Sequence, residues 1–319
     1  MIVVLTGGTG GAKFLDGLQR VVSADQLTII VNTGDDHEWW GLYVSPDIDS
    51  IMYVLSGLLS PERGWGVRGD TFYCLDQMKK LGEETWFSVG DRDLAIHLLR
   101  TKLLSQGRAL SQVTQEIAAR LGVRQRILPM SDQRVETRIG TPNGEISFEE
   151  YFVKRWYQDP VKSVRFAGAV GSEPAPGVVD AIAEAQAVVI APSNPVTSIG
   201  PILAVPGIRE ALRKTSAPVV AVSPIIGRAA VSGPAANLMA AQGLEVSIAG
   251  VAHAYADFLD ILLAHESDLN IAKVIDVANL QIHCANILMK TAEDRTRVAA
   301  AALSLVCPQF AGVSAVEAL

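Results

Sequence analysis

The chain has little of what staples, anchors or charges a protein. Its cysteines are three, Cys74, Cys284 and Cys307, in 319 residues. They are odd in number and far apart, which excludes a disulfide framework or a cysteine-based zinc site and leaves reduced core thiols. Histidine is also scarce: His253, His265 and His283 have no metal-ligand spacing between them. No Ser/His/Asp or H-E-x-x-H arrangement is legible. Lys and Arg total 27 against 34 acids, a net charge of −7, and no basic run occurs. A nucleic-acid polymer needs a basic surface, so such a partner is not expected. Long apolar runs are missing as well, each being cut by Pro, Gly or charge, which argues against a membrane span. Met1 leads straight into a strand pattern, with no room for a signal peptide, and the expected location is the cytoplasm. Repeats and low-complexity tracts are absent.

What is present is an apolar, αβ-alternating chain, 49% hydrophobic, long enough for one large α/β domain over 1–319. Its organising stretch is the opening MIVVLTGGTGGAKFLDGL. Ile2 to Leu5 read as a buried strand, Gly7, Gly8, Gly10 and Gly11 as the turn, and Phe14, Leu15 and Leu18 as the apolar face of a first helix. Glycines between a strand and a helix let backbone N–H groups approach a phosphate, and the helix dipole favours the anion. The pattern is not a Walker loop, since Lys13 is followed by Phe14, and it meets the dinucleotide pattern only in part, Lys13 standing where the last glycine belongs. Close packing of helix on sheet is the structural alternative.

A second strand, Leu27 to Val31, runs into Asn32-Thr33-Gly34-Asp35-Asp36, and acids at that place meet a ribose in Rossmann-type sites. Tryptophans crowd the segment from His37 to Trp65, which also carries Ser45-Pro46-Asp47-Ile48-Asp49-Ser50. Pro46 suits the first turn of a helix capped by Ser45, so Asp47 and Asp49 either complement the helix dipole or hold a metal. Helices are expected over 70–81, 91–105 and 111–121, the second opening on Gly90-Asp91-Arg92-Asp93, either a charged helix start or a substrate loop. His97, among leucines and isoleucine, reads as packed. Residues 126–160, with Asn143-Gly144 as a hairpin signal, read as an inserted β element. Strands are expected at 164–167, 187–191, 219–222, 259–264 and 281–287, and a last helix from Ala292 capped by Thr291. The loops Pro192 to Pro201 and Ser223 to Gly227 repeat one grammar of strand, polar Gly/Pro loop and helix. The fold class is α/β, a Rossmann-like mostly parallel sheet with helices on both faces, its strand-end loops converging on one crevice.

Taken together, GGTGGAKFLDGL, NTGDD, SPDIDS, GDRD, PMSDQRVET, PSNPVTSIGPIL and SPIIGRAAVSGPA closely resemble the 2-phospho-L-lactate transferase family over nearly the whole chain. Arg228 departs from it, standing where another small residue is usual. The resemblance implies a magnesium-dependent, usually homodimeric enzyme of coenzyme F420 biosynthesis. Such an enzyme moves a phospholactyl or phosphoenolpyruvyl unit from a guanosine diphosphate-linked donor to the deazaflavin Fo and releases GMP. It implies a phosphate cradle from Gly8, Thr9, Gly10, Gly11 and Lys13, ribose or base contacts from Asp35 and Asp36, and nucleotide contacts from Ser193, Asn194, Ser198 and Gly200. Asp47 and Asp49 are implied as catalytic and Mg2+-binding residues near the acceptor, a pair suited to magnesium's habit of taking one or two carboxylates plus phosphates. Two other classes compete. An oxidoreductase lacks the last glycine of its loop, and a nucleotide-binding regulator has no need of the Asp47/Asp49 pair.

Overall fold

The computed structural model describes residues 1–307 and 317–318. Its centre is a sheet whose strands, in chain order, are β1 Ile2–Thr6, β2 Leu27–Val31, β5 Arg126–Pro129, β9 Ala187–Ile190, β10 Val219–Val222, β13 Ile261–His265 and β14 Gln281–Ala285. All seven pair in parallel, in the order β14-β13-β10-β9-β1-β2-β5, and the short β15 Glu317–Ala318 closes the β14 edge antiparallel. The smaller strands are two hairpins, β3 His37–Trp39 with β4 Leu42–Val44 and β11 Ile225–Ile226 with β12 Ala229–Ala230, and a separate sheet of β6 Glu136–Thr141, β7 Gly144–Ser147 and β8 Ser163–Ala167.

Both faces of the main sheet are covered, which is why β1, β2, β9 and β10 are buried at every residue and read as unbroken apolar runs rather than alternations. Val3, Leu5, Val188 and Ile190 enter one core; Val4, Ile29, Val189 and Val220 enter the other, with Phe14, Leu15 and Leu18. The strand order reverses between β1 and β9, held in register by Leu5 opposite Ile190. Chain leaving β1 moves toward β5, and chain leaving β9 moves toward β14, so the loops after β1 and β9 part and leave a crevice.

Three helices position the site, α1 Gly8–Leu18, α2 Pro46–Leu55 and α4 Asp91–Ser105; α3 Tyr73–Lys80 and α5 Leu110–Arg120 precede and follow α4. The last helix, Ala292–Val306, carries the expected cap, Thr291 and Asp294 bonding reciprocally, and it crosses α1 at Gly17.

Besides shifts of one to three residues at several element ends, such as the helix expected over 70–81 that runs Tyr73–Lys80, three differences from the sequence reading bear on the architecture. Helix α1 starts at Gly8, so Gly8, Gly10 and Gly11 form its first turn and only Gly7 is left as a cap. A Cβ on Gly10 would stand 2.2 Å from the Pro192 carbonyl oxygen, and one on Gly11 1.9 Å from Thr6 Oγ1. These two glycines thus bring α1 against β1 and the loop after β9, whatever else they do. Gly10→Ala is therefore expected to destabilise the fold by roughly 1–3 kcal/mol, the usual scale for overpacking against a backbone that cannot yield. Thermal unfolding checks this, and an unchanged midpoint would refute the packing role. Second, 126–129 is not insertion: Ile127 and Leu128 are buried and pair with β2 as the edge of the parallel sheet. Third, Ser163–Ala167 is not a core strand but the partner of β6, with exposed residues along it. The insertion is therefore the antiparallel sheet β7-β6-β8, from 136 to 167, built around the expected Asn143-Gly144 turn.

Candidate active site at the switch in strand order

The two walls of the crevice are tied together at their base. The Ser193 hydroxyl donates to the Gly7 carbonyl at 2.7 Å. Asn194 folds its own loop, its side-chain oxygen accepting from Val196 N–H at 2.9 Å and its carbonyl from Ser198 and Ile199 N–H. Ser198 is buried against Gly7, where an added Cβ would meet it at 3.0 Å, and Gly200 packs on the Phe166 ring and the Pro195 carbonyl. Thr9 and Lys13 lie exposed, one turn apart on α1. Thr6 and Thr197 have buried hydroxyls without partners on these walls.

Asn32 is the hub, and sequence reasoning passed over it. It is fully buried, and its amide nitrogen donates to Asp47 Oδ2 at 2.9 Å, Asp35 Oδ2 at 3.0 Å and the Thr197 carbonyl at 3.3 Å. Asp47 reaches across to α1, where Oδ1 accepts the Gly8 N–H at 2.6 Å. A carboxylate on α2 thus sits at the mouth of α1, the place expected for an anion.

Four acids are buried here: Asp35, Asp36, Asp47 and Glu149. Burial pushes Asp35 well above the carboxylate range, reinforced by Asp47, Glu149 and Asp36. It pushes Asp36 to about 8 even though the Ser45 and Tyr43 hydroxyls both donate to its Oδ2, at 2.8 and 3.0 Å. Asp47 rises to about 6, restrained by its bonds from Asn32 and Gly8. Glu149 rises to about 8 through burial and the charges of Asp47 and Asp36, with no hydrogen bond to offset them. The Oδ1 atoms of Asp35 and Asp36 are buried without a partner. Ser45 does precede α2 as expected, but its hydroxyl serves Asp36 instead of capping the helix. Glu149 arrives from the insertion, which docks here through Thr137 N–H on the Gly34 carbonyl at 2.7 Å. In the sequence it is only one of two adjacent acids after a hairpin, and its neighbour Glu150 pairs with Arg155 instead.

Asp35 and Asp36 each keep a buried oxygen without a partner, and among the described residues none of the four acids is in an ion pair, an arrangement that fits a bound cation. Among the described residues no three His, Cys, Asp or Glu side chains form a ready-made cage. Asp35 and Asp47, both bonded to the Asn32 amide, are the carboxylates placed to serve a cation such as magnesium, which takes one or two carboxylates plus substrate phosphates. A stability prediction follows with a definite sign. Acids raised to about 8 keep protons in the folded state that the unfolded chain has released, so between pH 4 and 8 the native state binds more protons. Metal-free protein is therefore expected to lose stability as pH rises from 5 to 8, and Mg2+ to raise the unfolding midpoint more at pH 8 than at pH 5. Thermal scans in chelator and in Mg2+ check this, and equal midpoints at both pH values would overturn it.

A second buried set lies between α2 and α4. Asp49 does not share a site with Asp47: residues two apart on a helix point to nearly opposite sides. Both oxygens of Asp49 are taken by Arg100, Nη1 to Oδ2 at 3.1 Å and Nη2 to Oδ1, and Arg100 is wholly buried. His97 lies between acids, Nδ1 at 3.6 Å from Asp49 and Nε2 at 3.4 Å from Asp93. Tyr53 donates to Asp93. Burial pushes Asp93 up, but His97, Tyr53 and Arg100 bring it below its ordinary value. The Gly90-Asp91-Arg92-Asp93 run is a helix start: buried Asp70 accepts the Arg92 and Asp93 N–H groups at 2.8 and 3.1 Å. Arg100 was missed, though Asp93, His97 and Arg100 fall at i, i+4 and i+7, the spacing of one helix face. Beside this set His37, Phe87, Trp39, Trp86 and Trp40 pack edge to face or tilted, with ring separations of 4.6–6.1 Å.

The family model described as 2-phospho-L-lactate transferase CofD matches residues 2–302. The chain belongs to the 2-phospho-L-lactate transferase family. A relative from Methanocaldococcus jannaschii named 2-phospho-L-lactate transferase is 42% identical, covering 94% of this chain and 96% of its own. One from Kitasatospora aureofaciens named phosphoenolpyruvate transferase is 43% identical, covering 95% and 97%. Among solved structures, a UPF0052-family protein from Bacillus halodurans aligns with a TM-score of 0.62 at 20% identity, over 95% of this chain and 98% of that one, a likeness of fold. The parallel sheet of this chain reverses its strand order at β1/β9, as expected from the strand-loop-helix grammar. No helix among the described residues is long and apolar enough to cross a membrane.

Proposed function

We propose that the chain transfers a phospholactyl or phosphoenolpyruvyl unit from a guanosine diphosphate-linked donor to the side-chain hydroxyl of Fo, releasing GMP, in coenzyme F420 biosynthesis. The observation that carries this is the meeting, at one crevice, of the first turn of α1, the Pro192–Gly200 loop and four buried acids that form no ion pair among the described residues. A diphosphate with its cation complements such a place in charge, and the family membership supports the reaction class. The same reading includes Mg2+, a homodimer and a cytoplasmic enzyme.

In this reading the hydroxyl oxygen attacks the phosphorus distal to guanosine, the bridging P–O bond breaks, GMP leaves, and the hydroxyl proton passes to solvent. Thr9 and Lys13 stand at the exposed edge of α1 to meet phosphate oxygens, with backbone donors of Gly10 and Gly11 beneath them, the Gly8 N–H being taken by Asp47. Ser193, Asn194, Ser198 and Gly200 hold the nucleotide from the opposite loop. Asp35 and Asp47 would hold Mg2+, while Asp36, fixed by Ser45 and Tyr43, serves the ribose. Magnesium, when bound, neutralises charge on the bridging diphosphate. Asp49 accepts a hydrogen bond from the attacking hydroxyl and aligns it; Arg100 keeps that carboxylate in place.

The test is to incubate the protein with Fo, Mg2+ and each donor, lactyl or enolpyruvyl, and weigh the products. A deazaflavin product with GMP in equal amount supports the reading and tells the donors apart. GMP without any deazaflavin adduct, or no turnover of either donor, overturns it.

A further inference from the structure

We propose that residues 149–157 of the insertion form a strap over the crevice, latched by Lys154 on Glu84, which shuts water out once the acceptor is in place. The exclusion of water rests on the function proposed above; the strap and its latch stand apart from it. Two segments leave the buried acids and meet again farther out. One begins at Asp35, whose carbonyl accepts the His37 Nδ1–H at 3.3 Å. From there ring contacts lead outward, His37 on Phe87 at 4.6 Å and Phe87 on Trp86 at 6.1 Å. The other begins at Glu149, buried within reach of the Asp47 and Asp36 charges, and makes one π-type helical turn, Glu150–Lys154. They meet at Glu84, in the loop between α3 and α4. Its Oε1 accepts from Lys154 Nζ at 2.8 Å, its Oε2 from Trp86 Nε1 at 3.1 Å and its carbonyl from Trp40 Nε1 at 3.0 Å. Lys154 Nζ also stands 5.5 Å from the centre of the Trp86 ring. One acid thus joins the insertion, the α3–α4 loop and the β3-β4 hairpin. Such a latch is weak, because both side chains of the pair are exposed and screened. Beyond it the chain is strained: Trp156 and Tyr157 take φ of 53° and 46°, the left-handed region that bulky residues avoid. They are kept there by the Tyr157 N–H on the Tyr151 carbonyl at 2.8 Å and by Tyr157 stacked on Phe152 at 5.9 Å. A strained turn next to a weak latch leaves the open and shut positions close in energy, as closure over a substrate requires. With the strap shut, the Fo hydroxyl is the nucleophile. With it open, a water oxygen attacks the same phosphorus, the bridging P–O bond breaks, and GMP and free phospholactate or phosphoenolpyruvate leave with a proton passing to solvent. Lys154 and Glu84 are therefore positioning residues.

The experiment follows backbone hydrogen exchange of the full chain by mass spectrometry, with no substrate present, in Lys154→Met, which keeps the side chain's length and loses its charge. Amides of 150–157 and of 83–88 are expected to exchange together, about three- to tenfold faster, with the parallel sheet unchanged; that is the combined scale of an exposed ion pair and a cation over an indole. Salt at about 1 M should speed both segments in the unaltered protein and leave Lys154→Met as it is. Lys154→Arg, which keeps charge and reach, should exchange like the unaltered protein. With Fo, Mg2+ and donor present, the share of GMP formed without a deazaflavin adduct should rise about threefold or more in Lys154→Met, at unchanged GDP affinity. A merely structural ion pair would instead lower both products alike. Unchanged exchange in Lys154→Met, or faster exchange in one segment and not the other, overturns the strap. Adduct and adduct-free GMP falling in equal proportion overturns the exclusion of water. If the unaltered protein forms no adduct at all, the proposed function falls, and the exchange comparison still decides the latch.

Discussion

Asp49→Asn is expected to lower turnover about 10²-fold or more, with little change in GDP affinity, the scale of losing one acid-base or charge-stabilising group. The carboxylate is buried, its two oxygens are held by Arg100, and its remaining lone pairs are the ones an acceptor hydroxyl can use. In a phosphoryl transfer the chemistry asked of the protein is mostly alignment and charge, so a fixed hydrogen-bond acceptor matters more than a strong base. Asparagine offers one oxygen where aspartate offers two, and it turns an N–H toward either the guanidinium or the hydroxyl. The loss should therefore appear in kcat, not in donor binding. Steady-state rates at saturating Fo and Mg2+, beside calorimetric GDP affinity, check this. Unaltered kcat would remove Asp49 from the reacting groups and leave Arg100 holding a merely structural carboxylate.

The parts of this molecule that were legible in its sequence are those where local pattern and tertiary role coincide. Parallel strands buried on both faces must be apolar runs, so Ile2–Thr6, Leu27–Val31, Ala187–Ile190 and Val219–Val222 announce themselves. The loops after them carry Gly, Pro, Ser and Asn because they cross the open end of the sheet, and their convergence follows from right-handed crossovers. Where α1 begins was not legible, since glycine reads as turn, and only the Pro192 carbonyl beside Gly10 shows why a helix is built from it. Arg126 to Pro129 was read as insertion because a four-residue edge strand has no periodicity of its own. The site is legible by halves. Asp35, Asp36 and Asp47 stand in loops and at a helix start, where acids attract notice. Asn32, Glu149 and Arg100 do not, because their roles arise from partners 15 to 165 residues away, in three elements whose docking no local pattern encodes. The Asp-x-Asp pair shows the converse: a motif that reads as one site in sequence is split by the 3.6-residue turn on which it lies.

Asp47→Asn is expected to raise the Mg2+ concentration needed for half-maximal rate by about 10²-fold, the affinity scale that one supporting contact commands being already 10–100-fold. Asp47 accepts from two donors at once, Gly8 N–H and the Asn32 amide, and it is the acid that joins α2 to the mouth of α1. Asparagine has one carbonyl oxygen, so whichever donor it satisfies, its own NH2 is set against the other. The variant thus loses a negative charge beside Asp35 and also disturbs the hub that gathers Asp35 toward it. Two opposing effects on stability separate these losses. Removing one of four crowded acids relieves repulsion, since Asp47 raises both Asp35 and Glu149. Breaking a buried donor pairing costs about 1–3 kcal/mol. In chelator at pH 8, where repulsion is greatest, the two nearly cancel and the unfolding midpoint should move little, while added Mg2+ should no longer raise it. Parallel scans of both proteins, with and without Mg2+, check this together with the Mg2+ dependence of the rate. If Mg2+ stabilises Asp47→Asn as much as the unaltered protein, the ion is held elsewhere, and Asp36 with Glu149 is the remaining pair of buried acids able to hold it.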